Sequence, residues 1–429
     1  MRSHLRTSGR RLALLLFAAH AASAYAQTAA IEIRVTGRHT ITSADTPELA
    51  RQLAQIDGQR AAWREAAARL RTRADVTALR LKPAELDAYT AVIVQAEAVS
   101  STASSSATKG DMLLPMRARV DPSAAVNQMR LLHRDQDAAY DLVEAWARLQ
   151  QAPTPAAFTA VLMAARATAA LVRSEERPVG GRAPTNEGRE RAKRLADAAL
   201  DASPDAAEPH AVLGDLLIDA QQPEAAEAEF RKALATANTS AFQTKLAEAL
   251  RLQGKFDEAV AALREALRLE PTSAPAHGAL ALALVGQRNS TEALAAYQEA
   301  LRLDPDLIDA HNGLAVLLAR EGRLDDAVVE FREMTRVDPD SAIGYYNLAI
   351  ALADLDRDVE SAAALREVIR INPNHYNAHY NLGEMFRLEG KYDESAKQFR
   401  EYLRLAPATP QTRRNIERAT GFVKRFEDQ

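Results

Sequence analysis

Five prolines recur every 34 residues in the C-terminal half of the chain: Pro271, Pro305, Pro339, Pro373 and Pro407. A fixed period of this length is typical of an array of helix–turn–helix units, each too small to bury its own apolar face. Proline lacks the backbone N–H group and clashes with the preceding helical turn, so it ends a helix. We therefore expect each of these prolines to close one unit of the array.

Two further positions repeat with the proline. A leucine followed by a small residue stands 25 residues before each proline, at Leu246, Leu280, Leu314, Leu348 and Leu382. A large apolar side chain stands eight residues before each proline, at Leu263, Tyr297, Phe331, Leu365 and Phe399. The small residue would let the second helix of a pair approach the first, and the large one would fill the gap against the next unit. An earlier unit has Leu213, Gly214 and Phe230 but no closing proline.

The pattern resembles the tetratricopeptide-repeat (TPR) family. The segment from His379 to Gly383, followed by Phe386, Gly390, Tyr392, Phe399 and Pro407, matches it best. The resemblance covers six units over residues 207–407 and implies an all-α right-handed superhelix. Two departures are local. Serine replaces the family's small residue before the aromatic in the last two units, and the third and fifth units lack the glycine of the tight turn that Gly254, Gly322 and Gly390 supply elsewhere.

The N-terminus has the three-part layout of a secretory signal peptide. Residues 1–26 contain four arginines and no acid, then a short apolar run, then Ala24-Tyr25-Ala26. The run is too short to span a bilayer, which needs about 20 residues. We expect cleavage after Ala26, export to the periplasm of a Gram-negative bacterium, and no stable membrane anchor after the signal is removed.

Composition excludes several kinds of chemistry. The chain has no cysteine, which rules out disulfides and thiolate metal sites. Its formal net charge of −4 would become −8 without the four signal arginines, so nucleic acid is not an expected partner.

Residues 30–122 show a different pattern, with alternating apolar residues at both ends and helical spacing between them. The order β-α-α-β-β predicts a small α+β domain. Thr46-Pro47-Glu48 should begin a long helix ending near Arg71, and Pro83 a shorter one. Pro115 suggests that the last strand lies at an edge, and residues 100–110 suggest a mobile hairpin loop. The segment resembles the N-terminal domain of flagellar-assembly protein T and related envelope lipoproteins; an unrelated α+β packing module is the alternative.

The remaining segments are predicted to be helical. Residues 123–173 should form a helical hairpin, with helices over 123–150 and 156–173, and residues 174–189 an interdomain linker. The array then spans 190–407, because residues 190–203 look like half of a degenerate repeat. Residues 408–429 should form a capping helix with Ile416, Ala419, Val423 and Phe426 on its apolar face.

No catalytic motif, metal site or cofactor site is predicted. Four histidines recur at one repeat position: His210, His277, His311 and His379. Equivalent positions on packed helices lie roughly 10 Å apart, too far for two ligands of one zinc ion, so we interpret them as packing residues. Asp354, Asp356 and Asp358 alternate like calcium-loop acids, but that loop would need glycine at 359 and glutamate at 365. We expect a solvated turn there.

The candidate binding site is a groove. In this family the first helices line the concave surface, where peptide ligands lie. The residues that the resemblance places there are Asn312, Tyr346, Asn347, Asn377, Tyr380, Asn381, Glu384 and Arg387. Asparagine can hold an extended backbone through its donor and acceptor, and tyrosine adds flat apolar area. The alternative is that these residues only stabilise the scaffold. Lys245 and Arg387 alone would not form a carboxylate clamp.

These observations predict an exported, non-enzymatic scaffold or adaptor that binds a protein or peptide partner. One alternative is an assembly factor of an envelope machine that docks through its N-terminal domain. Another is an enzyme accessory or sugar-binding module, which a deep apolar pocket with converging polar groups in residues 30–122 would favour.

Overall fold

The computed structural model describes residues 30–40, 42, 44–99, 104–106, 111–152, 154–172, 174–176, 182–184 and 186–427. The predicted signal peptide and most of the predicted hairpin loop lie outside these residues. Contacts divide the chain into two compact units, one including residues 30–172 and 186–213, the other including 214–427.

The first unit begins with an α+β segment, as the alternating pattern predicts. Its elements are β1 (Ile31–Thr40), α1 (Pro47–Arg71), α2 (Ala74–Thr77), α3 (Pro83–Ile93), β2 (Ala96–Ala98), β3 (Ser104–Ser106) and β4 (Asp111–Val120). Thr46 caps α1 by accepting a hydrogen bond from the Leu49 N–H at 3.2 Å, with Pro47 at the first turn. All strand pairs are antiparallel, and β4 pairs with β1 on one side and with β2 and β3 on the other.

The expected edge position of Pro115 is wrong, because β4 is the central strand of the sheet. Pro115 lies opposite the interval between β2 and β3. Its carbonyl accepts a hydrogen bond from the Val99 N–H at 2.8 Å. The carbonyl and the missing N–H group of one strand residue point to the same side, so no ladder partner meets the absent donor.

Four helices complete this unit: α4 (Pro122–Arg134), α5 (Gln136–Gln151), α6 (Pro155–Val172) and α7 (Asn186–Ala202). The single helix expected over 123–150 is therefore two helices. They divide at Asp135, whose backbone is extended and whose carboxylate accepts a hydrogen bond from the Ala138 N–H. Between α6 and α7, where a linker was predicted, β5 (Ser174–Glu176) pairs with β6 (Arg182–Pro184). Helix α7 packs along α6.

The α+β segment and helices α4, α5 and α6 share one core. The Trp63 indole of α1 is buried, donates a hydrogen bond to the Val94 carbonyl at 3.0 Å, and stacks on Phe158 of α6 with ring centroids 5.8 Å apart. Trp146 of α5 meets the same indole edge-on at 5.9 Å. Residues expected to lie in separate modules therefore fill one hydrophobic cluster.

The second unit contains the array. Six helix pairs follow one another: α8 (Ala207–Asp219) and α9 (Pro223–Thr236), α10 (Ser240–Leu252) and α11 (Phe256–Leu269), α12 (Ala274–Gly286) and α13 (Ser290–Leu303), α14 (Ile308–Arg320) and α15 (Leu324–Val337), α16 (Ala342–Asp354) and α17 (Asp358–Ile371), α18 (Tyr376–Leu388) and α19 (Tyr392–Leu405). The division between the two units falls within α8. Helix α20 (Pro410–Glu427) closes the array, with Ala419 and Val423 buried against Phe399 and Tyr402.

The repeated sequence positions form the junctions between helices. The large residues of the five later units are buried to within 3 % exposure. A Cβ atom added to Gly383 would come within 2.9 Å of the Phe399 ring, so only a very small residue fits there. The two serines that depart from the family pattern are also accommodated. Ser361 and Ser395 each donate a buried 2.8 Å hydrogen bond to a first-helix carbonyl, of Ala349 and Gly383 respectively.

All six turns within the helix pairs use the left-handed backbone region. Gly254, Gly322 and Gly390 have φ values of 76°, 79° and 73°. The turns without glycine adopt the same conformation at Gln221, Arg288 and Asp356, with φ values of 59°, 62° and 55°. Asp356 thus lies in an exposed turn between α16 and α17, where a solvated turn was predicted. The fold of the pair, rather than the residue, imposes the left-handed position.

Candidate functional site

The first helices of successive pairs lie side by side and form the concave face of the array. Side chains link neighbouring first helices. Nδ2 of Asn347 on α16 donates to Oδ1 of Asn312 on α14 at 3.1 Å. Nδ2 of Asn381 on α18 donates to the Tyr346 hydroxyl of α16 at 3.3 Å. The structure thus joins four of the eight predicted groove residues in two pairs, which together link the first helices of three successive repeats.

The two tyrosines of the groove are half-buried. The Tyr346 ring lies 4.8 Å from the His375 ring, and burial raises the pKa of Tyr346. The Tyr380 ring packs on Phe399 and Tyr402, with centroids 5.8 and 5.0 Å away. Burial and the nearby Glu384 carboxylate raise the pKa of Tyr380. Both phenols are therefore neutral near pH 7 and can donate hydrogen bonds.

Glu384 and Arg387 form an ion pair at the C-terminal end of the groove. Glu384 Oε2 lies 2.9 Å from Arg387 Nη2 and 2.9 Å from Arg418 Nη2 of α20. Glu384 Oε1 is buried and has no hydrogen-bond partner among the described residues. Arg418 also contacts Tyr380. The last predicted groove residue, Asn377, is half-buried on α18, and no hydrogen bond joins its side chain to another described side chain.

The prediction of the groove did not include Arg418 of α20. Its spacing carried the signal, because Arg418 follows Glu384 by 34 residues, one full repeat. Helix α20 thus stands where the first helix of a seventh pair would stand. At the other end, Lys245 on α10 lies 3.0 Å from both carboxylate oxygens of Asp215 on α8. Lys245 and Arg387 are therefore each held by an acid.

Three of the four recurring histidines tie their first helix to the loop before it. Nε2 of His277, His311 and His379 lies 3.0 Å from the carbonyl oxygen of Pro271, Pro305 and Pro373, respectively. Nδ1 of His311 also lies 2.7 Å from Glu330 Oε2, and Nδ1 of His379 lies 2.7 Å from the Gln398 side-chain oxygen. Across the part of the chain that the structure describes, no three His, Cys, Asp or Glu side chains converge on a possible metal position.

Among the helices that the structure describes, none is both long enough and apolar enough to span a membrane.

Comparison with solved structures finds many helical-repeat proteins. YrrB, described as a TPR protein with an unusual peptide-binding site, is 25 % identical over 43 % of this chain and 95 % of its own, with a TM-score of 0.32. Pseudomonas aeruginosa pilF is 19 % identical over 56 % of this chain and 94 % of its own, with a TM-score of 0.38. MamA is 19 % identical over 38 % of this chain and 90 % of its own, with a TM-score of 0.36.

No curated protein matches the chain. A family model does match, described as tetratricopeptide repeat. It aligns with overlapping segments at residues 213–277, 244–308, 278–334, 312–376 and 360–410. These segments coincide with the helix pairs, the buried aromatic positions and the left-handed turns of the second unit. Residues 213–410 of this chain therefore belong to the tetratricopeptide-repeat family.

Proposed function

We propose that this chain is exported by its N-terminal signal and acts in the periplasm as a non-enzymatic scaffold, holding a protein or peptide partner on the concave face of its repeats. The TPR fold supports a protein–protein interaction scaffold. The observation that carries the proposal is a pair of cross-repeat hydrogen bonds, one from Asn347 to Asn312 and one from Asn381 to Tyr346.

These bonds hold polar groups in place while leaving hydrogen-bonding capacity available. An amide side chain has two N–H donors and a carbonyl acceptor. Asn347 uses one donor toward Asn312, and Asn381 uses one toward Tyr346. Each therefore retains a donor and an acceptor that can pair with the N–H and C=O groups of an extended peptide. Side chains already fixed by such bonds lose little further conformational freedom when they bind a partner.

The test is capture of a partner from envelope extract by the mature protein and by an Asn347→Ala/Asn381→Ala double variant. We expect the double variant to lose most of the captured partner while its helical circular dichroism and melting temperature stay close to those of the parent. Asn238→Ala is the matched control. Asn238 is an exposed asparagine between α9 and α10, and its side chain donates a hydrogen bond to Glu265 of α11.

Full capture by the double variant would contradict the role of these asparagines. Loss of capture accompanied by melting would show that the side chains stabilise the scaffold. In either case the first unit would become the next surface to test.

A further inference from the structure

One row of equivalent positions runs along the centre of the concave face. Its members are separated by 34 residues: Glu248, Leu282, Val316, Ile350, Glu384 and Arg418. We call this set the central row. Its middle three side chains are apolar, and Leu282 and Ile350 are 40 % and 37 % exposed. On α12 the positions beside Leu282 are Gly278 and Ala279, where α16 and α18 carry tyrosine and asparagine. Beside these small residues, the Leu282 side chain is open to solvent.

Ion pairs bound the apolar stretch at both ends. Glu248 lies 2.6 Å from Arg251, and Glu384 pairs with Arg387 and Arg418. A charged ligand side chain placed over Leu282, Val316 or Ile350 would lose hydration without gaining a partner of opposite charge. Uncharged apolar side chains are therefore complementary to the middle of the row.

The spacing of the row indicates the conformation of its ligand. Packed helices lie roughly 8–10 Å apart. A polyproline-II strand has three residues per turn and rises about 9.3 Å per turn, so every third side chain meets one row position. Its backbone has no internal hydrogen bonds, so it can pair with Asn312, Asn347 and Asn381. A helical ligand satisfies its own backbone groups and would leave these amides without a peptide partner.

We propose that the central row binds an extended, polyproline-II-like peptide segment with an uncharged apolar side chain at every third residue. This specificity rests on the proposed function, since it assigns a ligand class to the same concave face. The apolar side chains of the ligand lie on Leu282, Val316 and Ile350, and its backbone lies along the asparagines.

The experiment measures fluorescence anisotropy of labelled peptides with the full mature chain. The probe is LPSLPSLPS, which places leucine at every third residue. LLLPPPSSS has the same composition without the pattern, and SPSSPSSPS replaces the three leucines by serine. We expect the probe to bind at least tenfold more tightly than either control, a difference of about 1.4 kcal/mol.

Variants of the protein test whether the peptide binds at the central row. Ile350→Asp introduces a charge into the row at a partly exposed position and should weaken probe binding at least tenfold. Val359→Asp is the matched control: Val359 is 81 % exposed on α17, a second helix, and its substitution should leave binding unchanged. Both variants should retain the parent melting temperature.

Equal binding of LPSLPSLPS and LLLPPPSSS, no binding of any peptide, or normal probe binding by Ile350→Asp would each overturn the proposal. If the partner from envelope extract still depends on Asn347 and Asn381 in any of these cases, the scaffold function stands and only this ligand class is wrong.

Discussion

The contacts of His311 predict a pH-dependent contribution to stability. A carbonyl oxygen only accepts hydrogen bonds, so Nε2 of His311 must donate to Pro305. An ionised carboxylate also only accepts, so Nδ1 must donate to Glu330. Both ring nitrogens can donate only in the imidazolium form. Burial lowers the pKa of His311, but the hydrogen bonds to Glu330 and Pro305 and the charges of Glu330 and Glu333 outweigh it, and the net shift is upward.

The direction in which stability changes with pH follows from this upward shift of the pKa. A histidine whose folded pKa is raised stabilises the fold below its unfolded pKa of about 6.5, and the contribution is lost as the pH rises through the higher folded value. Glu330→Gln replaces the carboxylate by an amide that can donate to a neutral imidazole. The array already pairs a histidine at this repeat position with glutamine, since Nδ1 of His379 lies 2.7 Å from the side-chain oxygen of Gln398.

The magnitude comes from the bond that is exchanged. A hydrogen bond to a charged group contributes about 1.5–3 kcal/mol, and a neutral one about 0.5–1.5 kcal/mol. With 7 % exposure for the His311 side chain and 21 % for that of Glu330, solvent screens this pair only partly. We therefore expect Glu330→Gln to lower the free energy of unfolding by about 1 kcal/mol at pH 5.5 and by much less at pH 8.5.

Urea melts of the parent and of Glu330→Gln at both pH values measure this difference. The reciprocal change, Gln398→Glu, should create the same pH dependence at His379. NMR titration of the His311 ring should show its pKa falling in the Glu330→Gln variant. A cost that is equal at the two pH values would refute the reasoning, because it would show that the charge of His311 in the folded protein does not change between them.

Four further outcomes are expected. Arg288→Gly should stabilise the array by about 1 kcal/mol in urea melts, because a non-glycine residue in the left-handed region costs roughly 1–2 kcal/mol. Gly322→Ala should destabilise it by a similar amount, since an added Cβ there meets no atom within 4 Å and only backbone strain changes; no change in either variant would contradict the turn argument. Phe331→Ala should cost about 3–5 kcal/mol, since the ring is 3 % exposed at a repeat junction, and a loss under about 1 kcal/mol would be incompatible with that position. N-terminal sequencing of the exported protein should begin at or near Gln27; a periplasmic form that retains Met1 would contradict cleavage.

The repeats could be predicted because their determinants are local and recur. Proline, leucine with a small neighbour, and the large apolar residue mark the helices of each pair, and each pair packs mainly on its neighbours. The sequence shows that two turns lack glycine. It does not show that Arg288 and Asp356 adopt the left-handed conformation there, because residues other than glycine usually avoid it. The packing of the two helices of a pair against each other imposes that conformation on the turn that connects them.

The candidate site was predicted in part. The repeat register placed Asn312, Tyr346, Asn347 and Asn381 on one face, and the structure joins them as two hydrogen-bonded pairs. That Glu384 is shared by Arg387 and Arg418 depends on how α20 docks, because ion pairing between helices depends on their relative position. The apolar middle of the central row follows the repeat period, but its exposure is a property of the packed array.

The sequence by itself determined the repeat array, its register and the helix that closes it, because a fixed period makes each unit predict the next. Only the tertiary structure decided how the first unit is assembled. Trp63 stacks on Phe158, and β4 lies at the centre of its sheet although it contains Pro115. These contacts join segments far apart in the chain, and no local pattern encodes them. Their geometry depends on the free energy of the whole core, in which burial of large aromatic side chains selects one arrangement of strands and helices.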